Sequence, residues 1–198
     1  DDADKTALQK LKTDLTTDVT KLEEQLDNAG NVVQNIIDAQ AKTDKVEQLT
    51  AIQDARTAYN NLPKEEQKLV TNLKTLTEME KVIKQPLAVI KKIEAADPEN
   101  ISKFPSTAKS AVTAFEKLTP TQKSYLSADY TNRIADLKKY LAFVDQMKAL
   151  KPNAAGFQEA YDAADTEYKA LTQVGAWMYP ALADKMIKEV EKYKPTLS

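Results

Sequence analysis

Carboxylate pairs are the first residues in this 198-residue chain that could do chemistry. Glu23-Glu24, Glu65-Glu66 and Asp162 with Asp165 could serve as an acid and its base, or hold a hard cation. Adjacent residues on a helix diverge by about 100°, so the first two pairs do not converge on one point. They read instead as solvated helix faces, and as negative charge at helix starts, where the dipole favours it. Histidine and cysteine are absent altogether. That removes the commonest general base, thiolate nucleophiles, disulfides and the Glu-x-x-His ligands of helical di-metal sites. No calcium-loop pattern of alternating Asp and Asn around a central Gly occurs. The three glycines, Gly30, Gly156 and Gly175, lie too far apart to cradle a phosphate. Ser and Thr lack an imidazole partner, which leaves open only a Ser-Lys arrangement. The chain reads as non-enzymatic, with no cofactor and no metal.

One grouping exceeds what packing requires. Trp177, Met178 and Tyr179, with Tyr125 and Tyr130 in the corresponding stretch upstream, could stack on sugars or seat a protein partner if their rings stand in solvent. The plainer reading has them close bundle ends over gaps left by small Ala residues. Charge is nearly balanced at −2, and the cations are almost all Lys, with Arg only at positions 56 and 133. Each Lys sits among carboxylates, as in Lys21-Leu22-Glu23-Glu24, which speaks against nucleic acid as a partner. No apolar run approaches the roughly 20 residues of a membrane span, so membrane insertion is not expected. The chain opens Asp1-Asp2-Ala3-Asp4 without Met, and is expected to be a processed product or an excised fragment.

Such residues must be carried on helices. Apolar positions at Leu8, Leu11, Leu15, Val19, Leu22, Leu26, Ala29, Val33 and Ile36 step by three or four throughout. The stripe keeps its phase across Gly30, which favours one helix from about Lys5 to Ala41. A break at Asn28 to Asn31, with Gly30 as C-cap and Asn31 as N-cap, is the alternative. Asp44 and Glu47 resemble a capping box opening a second helix that turns Val46, Leu49, Ile52, Ala55, Tyr59 and Leu62 inward. Pro63 ends it and suits the start of a third, from about Lys64 to Ala96 through Leu69, Leu73, Leu76, Ile83, Leu87, Ile90 and Ile93. Pro86 should kink or split that helix. Pro105-Ser106 prepares a fourth helix burying Ala108, Val112, Phe115 and Leu118. Thr119-Pro120-Thr121-Gln122 carries a Thr cap, Pro at the first helical position and Gln at the third. A fifth helix follows toward Leu150, with an interruption near Ser127 to Asp129 as one option. A sixth carries Phe157, Tyr161, Ala164, Tyr168 and Leu171, and a seventh Leu182, Met186, Val190 and Tyr193.

A phrase returns three times: an Ala-rich stretch, an aromatic, two residues, a Leu and a polar turn. It runs Ala55 to Tyr59 and Leu62, Ala111 to Phe115 and Leu118, then Ala164 to Tyr168 and Leu171, a period of about 55 residues. Three three-helix units would need nine helices, and seven are read, so two are shared. The expected fold is all-α, an elongated tandem array of three-helix bundles on long connecting helices. Its bundles cover 1–80, 64–139 sharing the 64–96 helix, and 131–198 sharing the 131–150 helix. The recurring ring would fill the space between the other two helices, and Phe115→Ala would cost about 3–5 kcal/mol if fully buried.

The stretch Ala55-Arg56-Thr57-Ala58-Tyr59-Asn60-Asn61-Leu62-Pro63-Lys64-Glu65-Glu66-Gln67-Lys68-Leu69-Val70-Thr71-Asn72 resembles helical repeats of secreted and wall-associated proteins of Gram-positive bacteria, including modules of surface-layer (S-layer) proteins. The second unit echoes it with Phe115, Leu118, Thr119, Gln122 and Lys123, and the third with Tyr168, Leu171 and Thr172. The resemblance covers about Ile37 to Lys194. It implies an extracellular place at the cell wall and a spacer or assembly role beside other domains of a larger surface protein. The alternative is an adhesin-like binding module for a cell-wall polysaccharide or a host protein, with Trp177, Tyr179, Tyr125 and Tyr130 as its contacts. It transfers no catalytic residue.

Overall fold

Helix α1 runs unbroken from Asp2 to Ala41 in a computed structural model that describes residues 2–100 and 102–149, with Gly156, Gln158, Glu159, Asp162, Ala163 and Thr166 beyond them. Its 40 residues make about 60 Å of helix at 1.5 Å per residue. Thr6, Thr13, Thr16, Thr17 and Thr20 each donate a hydroxyl to the carbonyl four residues back. These bonds satisfy the hydroxyls within the helix itself. Gly30 neither caps nor breaks the helix, and a Cβ added there would meet nothing within 4 Å. Gly30→Ala should therefore stabilise the fold by about 0.5–1 kcal/mol, since only the entropy cost of glycine is removed. The shift in a urea midpoint at constant slope measures it.

Asp44 caps helix α2, Lys45–Asn61, accepting from the N–H groups of Val46 and Glu47 at 2.8 and 2.9 Å. The Glu47 carboxylate turns away to Lys42 Nζ at 3.1 Å. Leu62-Pro63 closes α2 as expected. The stretch 64–96 is not one helix, however. A four-residue helix α3, Lys64–Gln67, is followed by a turn, and α4 begins at Leu73 and runs to Glu94. The turn is closed by N–H bonds from Leu69 to Glu66 and from Val70 to Gln67, and it buries Val70 while leaving Leu69 exposed. A continuous helix would send Val70 outward with its neighbours; burying it repays the broken ladder. Pro86 does not split α4, which passes through it with the ring buried.

The same plan follows in α5, Phe104–Glu116, α6, Pro120–Lys123, and α7, Ala128–Ala149. Thr119 and Gln122 form a reciprocal capping box, each side chain bonded to the other's backbone N–H at 3.2 and 2.9 Å. The expected interruption of the fifth helix lies at 124–127, between α6 and α7. All regular structure among the described residues is helical, as an all-α fold requires.

The chain divides into two units, Asp1–Lys84 and Gln85–Ser198. In the first, Ala29, Val32, Ile36 and Ala39 of α1 are buried with Leu49, Ile52 and Ala55 of α2 and Leu76 and Ile83 of α4. Gln48, buried among them, donates to the Ala39 carbonyl at 3.2 Å and so satisfies the end of α1. In the second, Val89, Ile90 and Ile93 of α4 are buried with Phe104, Ala108 and Ala111 of α5 and Ile134, Leu137 and Tyr140 of α7.

Two expectations about the recurring ring are corrected. Tyr59 and Phe115 are half-buried and do not fill the space between helices. Their faces are covered by cations, Arg56 at 5.2 Å from the Tyr59 centroid and Lys123 at 4.7 Å from that of Phe115. The residue that does fill the second core is Phe104, fully buried and 4.7 Å centroid to centroid from Tyr140. Val46, Leu62, Leu87 and Val112, expected inside, are half-buried. The sixth and seventh expected helices, with Tyr168, fall outside the described residues apart from single positions.

Candidate functional site

Among the described residues no three Asp or Glu side chains converge as metal ligands, and no helix is long and apolar enough to cross a membrane. Glu23 and Glu24 are both exposed on α1, Asp165 lies outside the described residues, and Glu65 and Glu66 part company. Glu66 is buried with Oε2 unpartnered, while Glu65 is exposed and pairs with Lys68 at 2.8 Å.

Of the four aromatics proposed as contacts, Trp177 and Tyr179 lie outside the described residues. Tyr125 follows α6 and is 5% exposed, so its ring is part of the second core. Tyr130, on the first turn of α7, is half-buried and donates its hydroxyl to the Glu94 carboxylate at 2.7 Å. That bond, helped by partial burial, raises its pKa above the ordinary phenol value. Tyr125 and Tyr130 are thus held within the second unit, and nothing brings them together as an open stacking platform.

Tyr140 titrates higher still. Burial beside Phe104 pushes its hydroxyl from 10.0 up to about 12. An acid whose pKa is raised on folding stabilises the fold below its unfolded pKa and loses that contribution as pH rises through the folded one. Stability of the second unit should accordingly fall between pH 10 and about 12, with the tyrosinate absorbance change coinciding with loss of helix. Tyr140→Phe should flatten that fall.

Two ion pairs tie helices together, with opposite polarity. In the first unit Arg56 of α2 grips Glu80 of α4 through two bonds of 2.6 Å, Nε to Oε1 and Nη2 to Oε2, while lying over Tyr59. The bond to Glu80 raises the guanidinium's already high pKa. In the second unit the carboxylate is on α5 and the cation on α7. Glu116 binds Lys138, with Lys123 3.9 Å away, and both lysines face Phe115. Lys138 holds the Glu116 carboxyl below the ordinary range, first by the hydrogen bond and then by charge. In each unit an aromatic, a cation and an anion latch two helices.

A shallow groove of about 700 Å³ lies along α4 and α5. Lys92, Lys109 and Lys117 line it with Ser106, Ser110 and Gln122 and no carboxylate. Lys92 donates to Ser110 at 3.1 Å. An anion could settle there, but exposed lysines on flexible stems neither converge nor desolvate a ligand. Sequence reading missed both latches. A signal was present in the cations placed beside the recurring ring, Arg56 three residues before Tyr59 and Lys123 at the end of α6, the short helix after Phe115.

Against known protein families, curated proteins and solved structures, the chain finds no match.

Proposed function

We propose that this chain is a non-enzymatic structural module, a spacer or assembly segment of a bacterial cell-surface or S-layer protein. Its place is outside a Gram-positive cell, at the wall. Its architecture is a tandem array of three-helix bundles that share long helices, and its partners are the other domains of a larger surface protein. The observation that carries the reading is α4: one helix, Leu73–Glu94, supplies buried residues to the first unit through Leu76 and Ile83 and to the second through Val89, Ile90 and Ile93. A helix that supplies buried residues to two cores should make them unfold together, as suits a spacer. The latches support the same role, because they fix helices to one another and leave no reactive group in a cleft.

Inserting two glycines between Lys84 and Gln85 tests the shared helix. The native chain should unfold by heat in one transition, and the insertion should divide it into two. A single unchanged transition in the variant would refute the coupling. Location is tested by treating intact cells of the source with a membrane-impermeant amine reagent, which reaches these lysines only outside the membrane. A spacer should not bind purified cell wall with an affinity that Trp177→Ala or Tyr179→Ala changes; such a change would favour the adhesin reading.

A further inference from the structure

The first two-thirds of α1 carry the largest unpartnered apolar surface among the described residues. Leu8, Leu11, Leu15, Val19, Leu22 and Leu26 are all exposed, the first three at 68%, 64% and 62%. At about 100° per residue, this stripe lies roughly 80° around the helix from the face formed by Ala29, Val32, Ile36 and Ala39. Leu8, Leu15 and Leu22 keep the heptad register of Ala29 and Ile36, so much of that offset is the drift of about 20° per heptad in a straight helix. It is length that leaves the stripe uncovered. Helix α2 has 17 residues, about 25 Å, and folding back from Ala41 it ends near Leu26, so other helices must cover the rest.

The spacing says which kind. Leu8, Leu11, Leu15, Val19 and Leu22 step by 3, 4, 4 and 3, and so do Leu76, Met79, Ile83, Leu87 and Ile90 on α4. Ile134, Leu137 and Leu141 on α7 repeat the first 3 and 4. Leu76, Ile83, Ile134 and Leu137 are buried, and Met79 and Leu141 half-buried, each in the third helix of its unit. The latch falls in the same frame. One residue after Met79 is Glu80, paired with Arg56; one after Leu137 is Lys138, paired with Glu116. One after Leu11 is Lys12.

We propose that residues Leu8 to Leu26 of α1 are the third helix of a further unit, and that their exposed face docks an antiparallel pair of helices built like those preceding α4 and α7, with a carboxylate facing Lys12. The length agrees. Leu8 to Leu26 spans about 27 Å, and α2, with 17 residues, about 25 Å. The charge specifies the occupant: Lys12 matches Lys138, so the incoming helix must resemble α5, with Glu116, rather than α2, with Arg56. This rests on the array reading above and names the partner that reading would place on α1.

The test uses the whole chain, which has no native Cys. Leu15→Cys provides one reporter thiol. A second copy of residues 85–130 is joined ahead of Lys5, which sets Lys12 opposite the copied Glu116. The thiol should react freely in the unextended chain and at least tenfold more slowly in the extended one. Reversing the copied Glu116 to Lys should restore much of the reactivity, and Lys12→Glu added to it should remove it again. If that extension does not fold, residues 29–72 joined ahead of Lys5 with Lys12→Glu give the alternative, with the copied Arg56 as partner. A thiol equally reactive in every folded extended chain would overturn the proposal. So would a native chain that sediments as a dimer and becomes monomeric on Leu15→Lys, since a second copy would then be the occupant. Leu137→Cys in the unextended chain separates the two readings. If that thiol is open the three-helix array itself fails, and if it is protected while Leu15→Cys stays open only the docking proposal fails.

Discussion

Phe104→Ala should unfold the second unit under conditions where the native chain is fully helical. The ring is fully buried, packs at 4.7 Å on Tyr140, and enters the core from the first turn of α5 beside Ala108 and Ala111, which are too small to close the space it would leave. Truncating a buried Phe costs about 3–5 kcal/mol, a large fraction of what a small domain has. Phe115→Ala is the informative contrast. The sequence makes Phe115 the recurring core ring, yet it is half-buried and covered by lysine stems, so its loss should cost nearer 1–2 kcal/mol. Paired urea titrations decide the matter: a larger loss for Phe115 than for Phe104 would mean the core has been misplaced.

The second large effect is Leu76→Ala in the first unit. Leu76 is fully buried on α4, in a core shared with Ile36, Ile52 and Ala55. Removing three carbons there should cost about 3–5 kcal/mol, at the upper end because the adjoining Ala55 cannot swell into the cavity. The Arg56 to Glu80 latch, one turn further along α4, makes the site less able to collapse. Hydrogen exchange should show protection lost in α2 as well as α4. Loss confined to α4 would show that Leu76 does not anchor the two helices together.

Much of the helical plan was legible because its signals are local. Asp44 and the Thr119 box cap helices through side-chain bonds within three residues, and Leu62-Pro63 stops one by removing a donor. The stops that went unseen have no such local cause. The turn between Gln67 and Leu73 contains neither Gly nor Pro, and is set by the tertiary burial of Val70 and by Asn72, whose amide donates to the Val33 carbonyl at 3.0 Å. Phe104 was hidden because it directly precedes Pro105 and so reads as a turn residue, and Tyr140 because it lies beside the Leu137 to Leu141 step. The exposed stripe on α1 was visible as periodicity, but periodicity records only that a face is apolar. It does not record whether anything covers it.

Pro86 has a consequence for how α4 comes apart. Having no amide hydrogen, it leaves the Val82 carbonyl without the partner four residues on that every other interior turn supplies. The helix continues across that turn on the flanking backbone bonds, with the ring buried. Transient opening of α4 therefore has a built-in starting point, and amides just after Pro86 should take up deuterium before those near either end of its buried run.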